Sequence, residues 1–283
     1  MKIPKPKMTV DEVFKSCISN MKKESQERFC PCLPDILAAT KDYEDNMEKG
    51  HPQNVAECRN IQGVPKSELK KLYTEKLSKI KQPAREYYDK IISLAPGGIC
   101  PYCKHQIVTT LDHYFPKAHY ISLVITPTNL IPACSNCNDY KQDLIVKEKE
   151  DAIFNPYYED CDGIIWLKAS LNRDIVSDFL TMTFSVCPPE ECDPVLQKRL
   201  ENQFNTLRLN NLYSKHAAEE LIAVASRHLR IFKAFGASEV RKSILESLED
   251  NTYRPNSWQS AMYRALDDDW YLNKVQFTRD YTG

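Results

Sequence analysis

The chain has 283 residues, 42% hydrophobic and 27% charged, a balance that excludes a disordered, collagen-like or fibrous protein and supplies apolar mass for one or two packed domains. Lys plus Arg (38) nearly cancel Asp plus Glu (39), leaving a formal net charge of -1, which excludes a protein that coats nucleic acid by bulk charge. Eleven cysteines would suit a secreted disulfide framework, but the opening MKIPKPKMTVDEVFK has no apolar h-region and no stretch offers about 18 consecutive apolar residues; a cytoplasmic chain with no membrane partner, its thiols reduced or metal-bound, is expected.

Residues 8–48 and 66–95 are predicted helical, because large apolar residues recur at three- and four-residue spacing among lysines and glutamates. In the second stretch Leu69, Leu72, Tyr73, Leu77, Ile80, Tyr87, Ile91 and Leu94 form the predicted apolar stripe, Pro83 splits it, and Ala95-Pro96-Gly97-Gly98 stops it. Its lysines concentrate locally: from Lys66 to Lys90 eight Lys or Arg face four Asp or Glu. Lys70, Lys71, Lys76, Lys79 and Arg85 are therefore candidate phosphate contacts, to be set against an ordinary solvated helix face. Residues 99–141 then change character, with paired cysteines, a β-rich run IVTTLDHYF, and a second run NLIPAC before a short helix. TMTFSV at 181–186 alternates as a strand, and from about 194 the helical period returns, with Gly236 placed as a C-terminal stop. The fold class is mainly α with a small α+β core, in four regions: helical 1–95, a metal-stapled module 96–150, mixed strand and loop 151–193, and helical 194–283.

Cys100-Pro101-Tyr102-Cys103 and Cys134-Ser135-Asn136-Cys137 are two CxxC knuckles. Four thiolates at this spacing suit one tetrahedral zinc ion, and a closed sulfur shell cannot activate water, so this metal is expected to be structural. The 30 residues between the knuckles hold a second set: Leu111-Asp112-His113-Tyr114-Phe115-Pro116, then Asn129-Leu130-Ile131-Pro132, followed after the bracket by Asn138-Asp139-Tyr140-Lys141. Each of these is weak alone; their order around a zinc bracket is what carries weight. Cys30-Pro31-Cys32 with His51 and Cys58 is read as ordinary thiols.

Together CPYC, LDHYFPK, NLIPAC and CNDYK resemble the HNH endonucleases of the ββα-metal, or His-Me finger, superfamily. The resemblance implies a zinc-stapled ββα module flanked by helical regions, with His113 as general base and Asp112 as ligand to a catalytic Mg²⁺ or Mn²⁺. It makes Asn129 the asparagine that pins the loop and Asn138 the second ligand of that cation, in place of the family's second histidine. Lys141 would touch a phosphate or cap the helix. Because adjacent strand side chains point to opposite faces, Asp112 and His113 can share one site only if the backbone twists or bulges there, and such a distortion is expected. The implied function is metal-dependent hydrolysis of phosphodiesters, DNA ahead of RNA. The alternative is a noncatalytic zinc-stabilised module that binds nucleic acid or a partner. More loosely, GGICPYC, FNPYYED and WQSAMYRAL resemble the nuclease subunits of Septu-type and retron-associated anti-phage systems, implying an ATPase partner.

Overall fold

The computed structural model describes residues 1–61, 63–173, 180–249 and 254–274. The chain is mostly helical, with two small antiparallel sheets, and divides into two compact units, Met1–Cys161 and Asp162–Gly283.

Unit 1 opens with α1 (Val10–Ile18), whose start is set by a capping box: Thr9 accepts from the Glu12 backbone while the Glu12 carboxylate reaches back to Thr9. Then come α2 (Lys23–Phe29), α3 (Leu33–Glu48) and α4 (Lys66–Lys71). A π-helical turn over Leu72–Leu77, closed by the Ser78 N–H donating to Tyr73 O at 2.8 Å, separates α4 from α5 (Arg85–Ile92). The break around Pro83 was legible in the sequence. The stripe was less so: Ile80 is 71% exposed, and Tyr88, outside the stripe, is buried beside a partly buried Tyr87 that packs against the core. The π turn and the non-helical residues 78–84 shift the helical phase, so positions counted at 3.6 per turn across the break no longer share a face.

After α5 the chain forms β1 (Thr110–His113), β2 (Leu130–Ala133) and α6 (Ser135–Lys141). The two strands pair antiparallel, Asp112 opposite Ile131 and His113 opposite Leu130. Leu111, Ile121, Val124, Ile125 and Leu130 share one hydrophobic cluster with Val13, Phe14, Ile36, Leu69, Leu72 and Ile91. The lead-in helices and the cysteine-bracketed segment are thus one body with one core, where the composition shift near residue 95 suggested separate regions.

Unit 2 holds a hairpin of β3 (Leu167–Arg173) and β4 (Leu180–Val186), then α7 (Pro194–Thr206), α8 (Leu209–Phe235), α9 (Ala237–Glu249), α10 (Trp258–Leu266) and α11 (Asp269–Lys274). The expected strand at 181–186 and helices after 194 are present; residues 250–253 and 275–283 of the expected helical region lie outside the described residues. Gly236 ends α8 at φ +86°, a conformation that side-chain-bearing residues rarely adopt. Phe184 of β4 packs edge-on against Tyr213 of α8, ring centroids 5.6 Å apart. Among the described residues no helix is long and apolar enough to cross a membrane.

Candidate active site and metal centre

The two knuckles close on one point. The Sγ atoms of Cys100, Cys103, Cys134 and Cys137 all lie within 4.8 Å of one another, and all four residues are buried. The Cys103–Cys134 Sγ separation of 3.9 Å is close to the ~3.8 Å edge of a tetrahedron built on Zn–S bonds of about 2.3 Å. Local structure sets this up. Lys104 takes a left-handed φ of +54° so that the first knuckle turns back, and the Gln106 N–H donates to Cys103 Sγ. In the second knuckle Cys134 is the N-cap of α6, its sulfur accepting from the Cys137 N–H. Hydrogen bonds from Cys100, Cys103 and Cys137 hold the Cys134 thiol far below its ordinary range, while contacts with Cys100 and Cys103 push Cys137 up. Four sulfurs crowded this closely fit a zinc ion. Cys30, Cys32 and Cys58 join no such group among the described residues.

Each knuckle also places a polar side chain on Asp112. Tyr102, inside the first, donates its hydroxyl to Asp112 Oδ2 at 2.9 Å. From the end of α6 the Lys141 ammonium lies 3.1 Å from Asp112 Oδ2 and donates to His113 O at 2.7 Å. Burial and the Asp112 charge raise the Tyr102 pKa, so the phenol stays protonated and remains a donor.

The His113 ring is 7% exposed. Its Nε2 lies 2.9 Å from Val124 O. A carbonyl can only accept, so Nε2 carries the proton and the Nδ1 lone pair is the basic one. Burial, then the nearby Lys117, hold the His113 pKa down to about 3, against the Val124 hydrogen bond, which raises it. The Tyr73 ring, presented by the π turn, packs edge-on against the imidazole at 4.4 Å, and its hydroxyl donates to Leu111 O. Asn129 is fully buried: its Oδ1 accepts from Phe115 N at 2.8 Å, and its Nδ2 donates to Phe115 O at 3.1 Å and Leu123 O at 3.2 Å, closing the loop that follows β1. Asn138 is half-buried on α6, one turn before Lys141 and on the same helical face.

Two expectations need correction. No bulge interrupts β1 at Asp112-His113: the pairing is one-to-one, and the Tyr114 N–H continues it to Asn129 O at 2.8 Å. The two side chains therefore leave on opposite faces, Asp112 toward Tyr102 and Lys141, His113 toward Tyr73 and Val124. Lys141 is 2% exposed and bonded to Asp112 and His113 O, so it is not open to a phosphate. Of the basic stripe, Lys76 donates to Asn20 and Arg85 is paired with Asp89, while Lys70, Lys71 and Lys79 make no such bonds among the described residues. Sequence reading missed Tyr73, Tyr102 and Lys117. Tyr102 and Lys117 stand inside the CPYC and LDHYFPK motifs, which is the signal that could have found them.

Residues 100–144 match the HNH endonuclease family. The matched span runs from Cys100 past α6, so it contains both knuckles, Asp112, His113, Asn129 and Asn138. Along nearly its full length the chain is 26% identical to Protein ea31 of Escherichia phage lambda, over 289 positions covering 94% of this chain and 96% of that protein. No solved structure matches. The HNH domain points to an endonuclease acting on nucleic acid.

Proposed function

We propose that the HNH domain hydrolyses phosphodiester bonds of DNA, with RNA as the second substrate, and that His113 is the general base. The observation that carries this reading is the Nε2–Val124 hydrogen bond, which fixes the imidazole as the tautomer whose Nδ1 can take a proton from water. Asp112 and Asn138 are oxygen donors of the kind that hold Mg²⁺ or Mn²⁺, and a carboxylate has about four acceptor positions, so Asp112 keeps places for a metal beside its bonds to Tyr102 and Lys141. A divalent ion there would neutralise the nonbridging oxygen and the departing alkoxide. Asn129 holds the loop that keeps Val124 within reach of the ring, and the four-cysteine zinc site anchors Tyr102 and α6 around Asp112.

The noncatalytic reading has two observations in its favour: the Lys141 ammonium already neutralises Asp112, and the regular β1 sends Asp112 and His113 to opposite faces. Digestion of plasmid DNA and of total RNA with Mg²⁺ or Mn²⁺, comparing wild type with His113→Ala, separates the two. Cleavage by the wild type and a loss of 100-fold or more in the variant, roughly the span of general-base catalysis, supports the nuclease. No cleavage of either substrate by zinc-loaded wild type supports the binding module. The looser resemblance supports an anti-phage effector working with an ATPase, and copurification of an ATPase from the native host is its test.

A further inference from the structure

Lys117 follows His113 by four residues, on the loop after β1, and is half-buried. Its Nζ stands 5.2 Å from the centroid of the Tyr73 ring, the same ring that packs at 4.4 Å against His113. Among the described residues no carboxylate lies within ion-pair distance of it; Asp112 and Asp143 act on it only from farther away. The charge of Lys70 on α4 also acts on it, against Asp143 and Asp112, and its own charge bears on the His113 ring. The elements packed around it thus present Lys70, Asp112, Asp143, His113 and the Tyr73 ring.

The Tyr73 ring offsets part of the desolvation of the Lys117 ammonium by a cation–π contact, but no carboxylate pairs with it, and a half-buried cation without a counter-ion is poorly compensated in the folded chain taken alone. Lys76 and Arg85, elsewhere on the basic stripe, have partners in Asn20 and Asp89. An anion lying between Lys117 and Lys70, next to His113, would offset the desolvation and the repulsion together. The anion that belongs beside a nuclease's base is a phosphate oxygen. An ammonium on a flexible stem meets such an oxygen as a point charge.

We propose that Lys117, supported by Lys70, binds a nonbridging oxygen of the scissile phosphate beside the His113 ring, as a substrate-contacting residue of the hydrolysis. This rests on the nuclease reading given above.

The test uses the full chain with its zinc. Lys117→Met keeps the length of the stem and removes the charge; Lys117→Arg restores a cation. DNA affinity is measured on a short duplex in a His113→Ala background, so that nothing is cleaved, and cleavage is measured in the otherwise wild-type chain. Lys117→Met is expected to bind about tenfold more weakly and to lower the slope of log Kd against log salt by about one. It should cleave more slowly yet melt close to the wild-type temperature, because the lost cation–π contact with Tyr73 and the relieved desolvation of the charge offset each other. Lys117→Arg should recover most of the affinity and the slope, and Lys70→Met should act in the same direction to a smaller extent. If Lys117→Met binds and cleaves as wild type while His113→Ala is inactive, the proposal is overturned and the nuclease reading stands. If Lys117→Met melts below wild type and Lys117→Arg does not recover binding, Lys117 is a packing residue and the proposal is again overturned. If His113→Ala cleaves as wild type, His113 is not the base and the site beside its ring is not the reacting one, so the proposal is overturned while the chain remains a nuclease; if the wild type cleaves neither DNA nor RNA, the nuclease reading itself fails.

Discussion

The state of the His113 imidazole follows from where its ring is held. The Val124 carbonyl fixes the tautomer and burial keeps the imidazole neutral down to about pH 3. A base this weak suits the free chain; a bound phosphate anion favours the protonated ring and raises its pKa toward the operating range. The acid limb of kcat/KM, which reports the free protein, is therefore expected to show no His113 titration near 6.5, whereas the limb of kcat should lie at higher pH. A kcat/KM limb at the ordinary histidine value would contradict the buried, Val124-bonded ring. Asn129 is a second residue whose role follows from its bonds. Asn129→Ala would leave Phe115 N and Phe115 O unpaired in the interior, while Leu123 O keeps the Thr126 N–H, and is expected to cost about 3 kcal/mol, measured by denaturant unfolding. The four-cysteine cluster was legible because its members sit in two short contiguous motifs, and so was the HNH span that contains Asp112, His113 and the two asparagines. Tyr73 was not, since it reaches His113 from 40 positions upstream and only the folded core brings them together. The fate of Lys141 was equally hidden: a lysine at the end of a short helix reads as exposed until β1 is seen to lie beneath it.

Among elements, the knuckles act as paired anchors. One carries Tyr102 and the other starts α6, so the zinc ion is expected to govern the placement of Asp112 as well as local folding. Cys103→Ser should lose most of its zinc and the integrity of the hairpin, while His113→Ala should keep one zinc per chain; metal analysis alongside thermal melts distinguishes them. A Cys103→Ser chain that retains zinc and melts as wild type would remove the structural role of the metal. The π turn shows where periodicity fails. Counting at 3.6 residues per turn through Leu72–Leu77 puts Ile80 in the core, yet Ile80 faces solvent and the turn instead aims Tyr73 at the imidazole. The expected bulge in β1 failed for a different reason. It assumed that Asp112 and His113 must converge on one face, whereas each has its own buried partners on its own side of a regular strand.

Over the full chain, two buried imidazoles link stability to pH. His113 in unit 1 is held down to about 3, chiefly by burial, and His228 in unit 2 to about 4, also by burial. Both lie below the ordinary 6.5, so the unfolded chain takes up protons first as pH falls. Their contribution is intact above about 6.5 and shrinks toward 4 and 3, by about 1 kcal/mol for each histidine between pH 6 and 5. Denaturant midpoints across that window should fall with pH, and less steeply in His228→Gln; an unchanged slope in that variant would contradict a neutral, buried His228. The composition of the chain bounded the architecture well, since a mainly helical protein with a cysteine-bracketed hairpin is what the structure holds. It did not mark the division at Cys161, because the hydrophobic cluster that joins α1, α3 and α4 to the hairpin is assembled from residues far apart in sequence.

Chemical rescue puts the role of the His113 imidazole to the sharpest trial. Single-turnover cleavage of plasmid DNA is followed for wild type and His113→Gly with Mg²⁺, each carrying one zinc, with and without added imidazole. The variant alone is expected to be slower by 100-fold or more, as for loss of a general base, and free imidazole should recover part of that rate with a dependence on its neutral form. Cleavage by His113→Gly at the wild-type rate, with no response to imidazole, would contradict it.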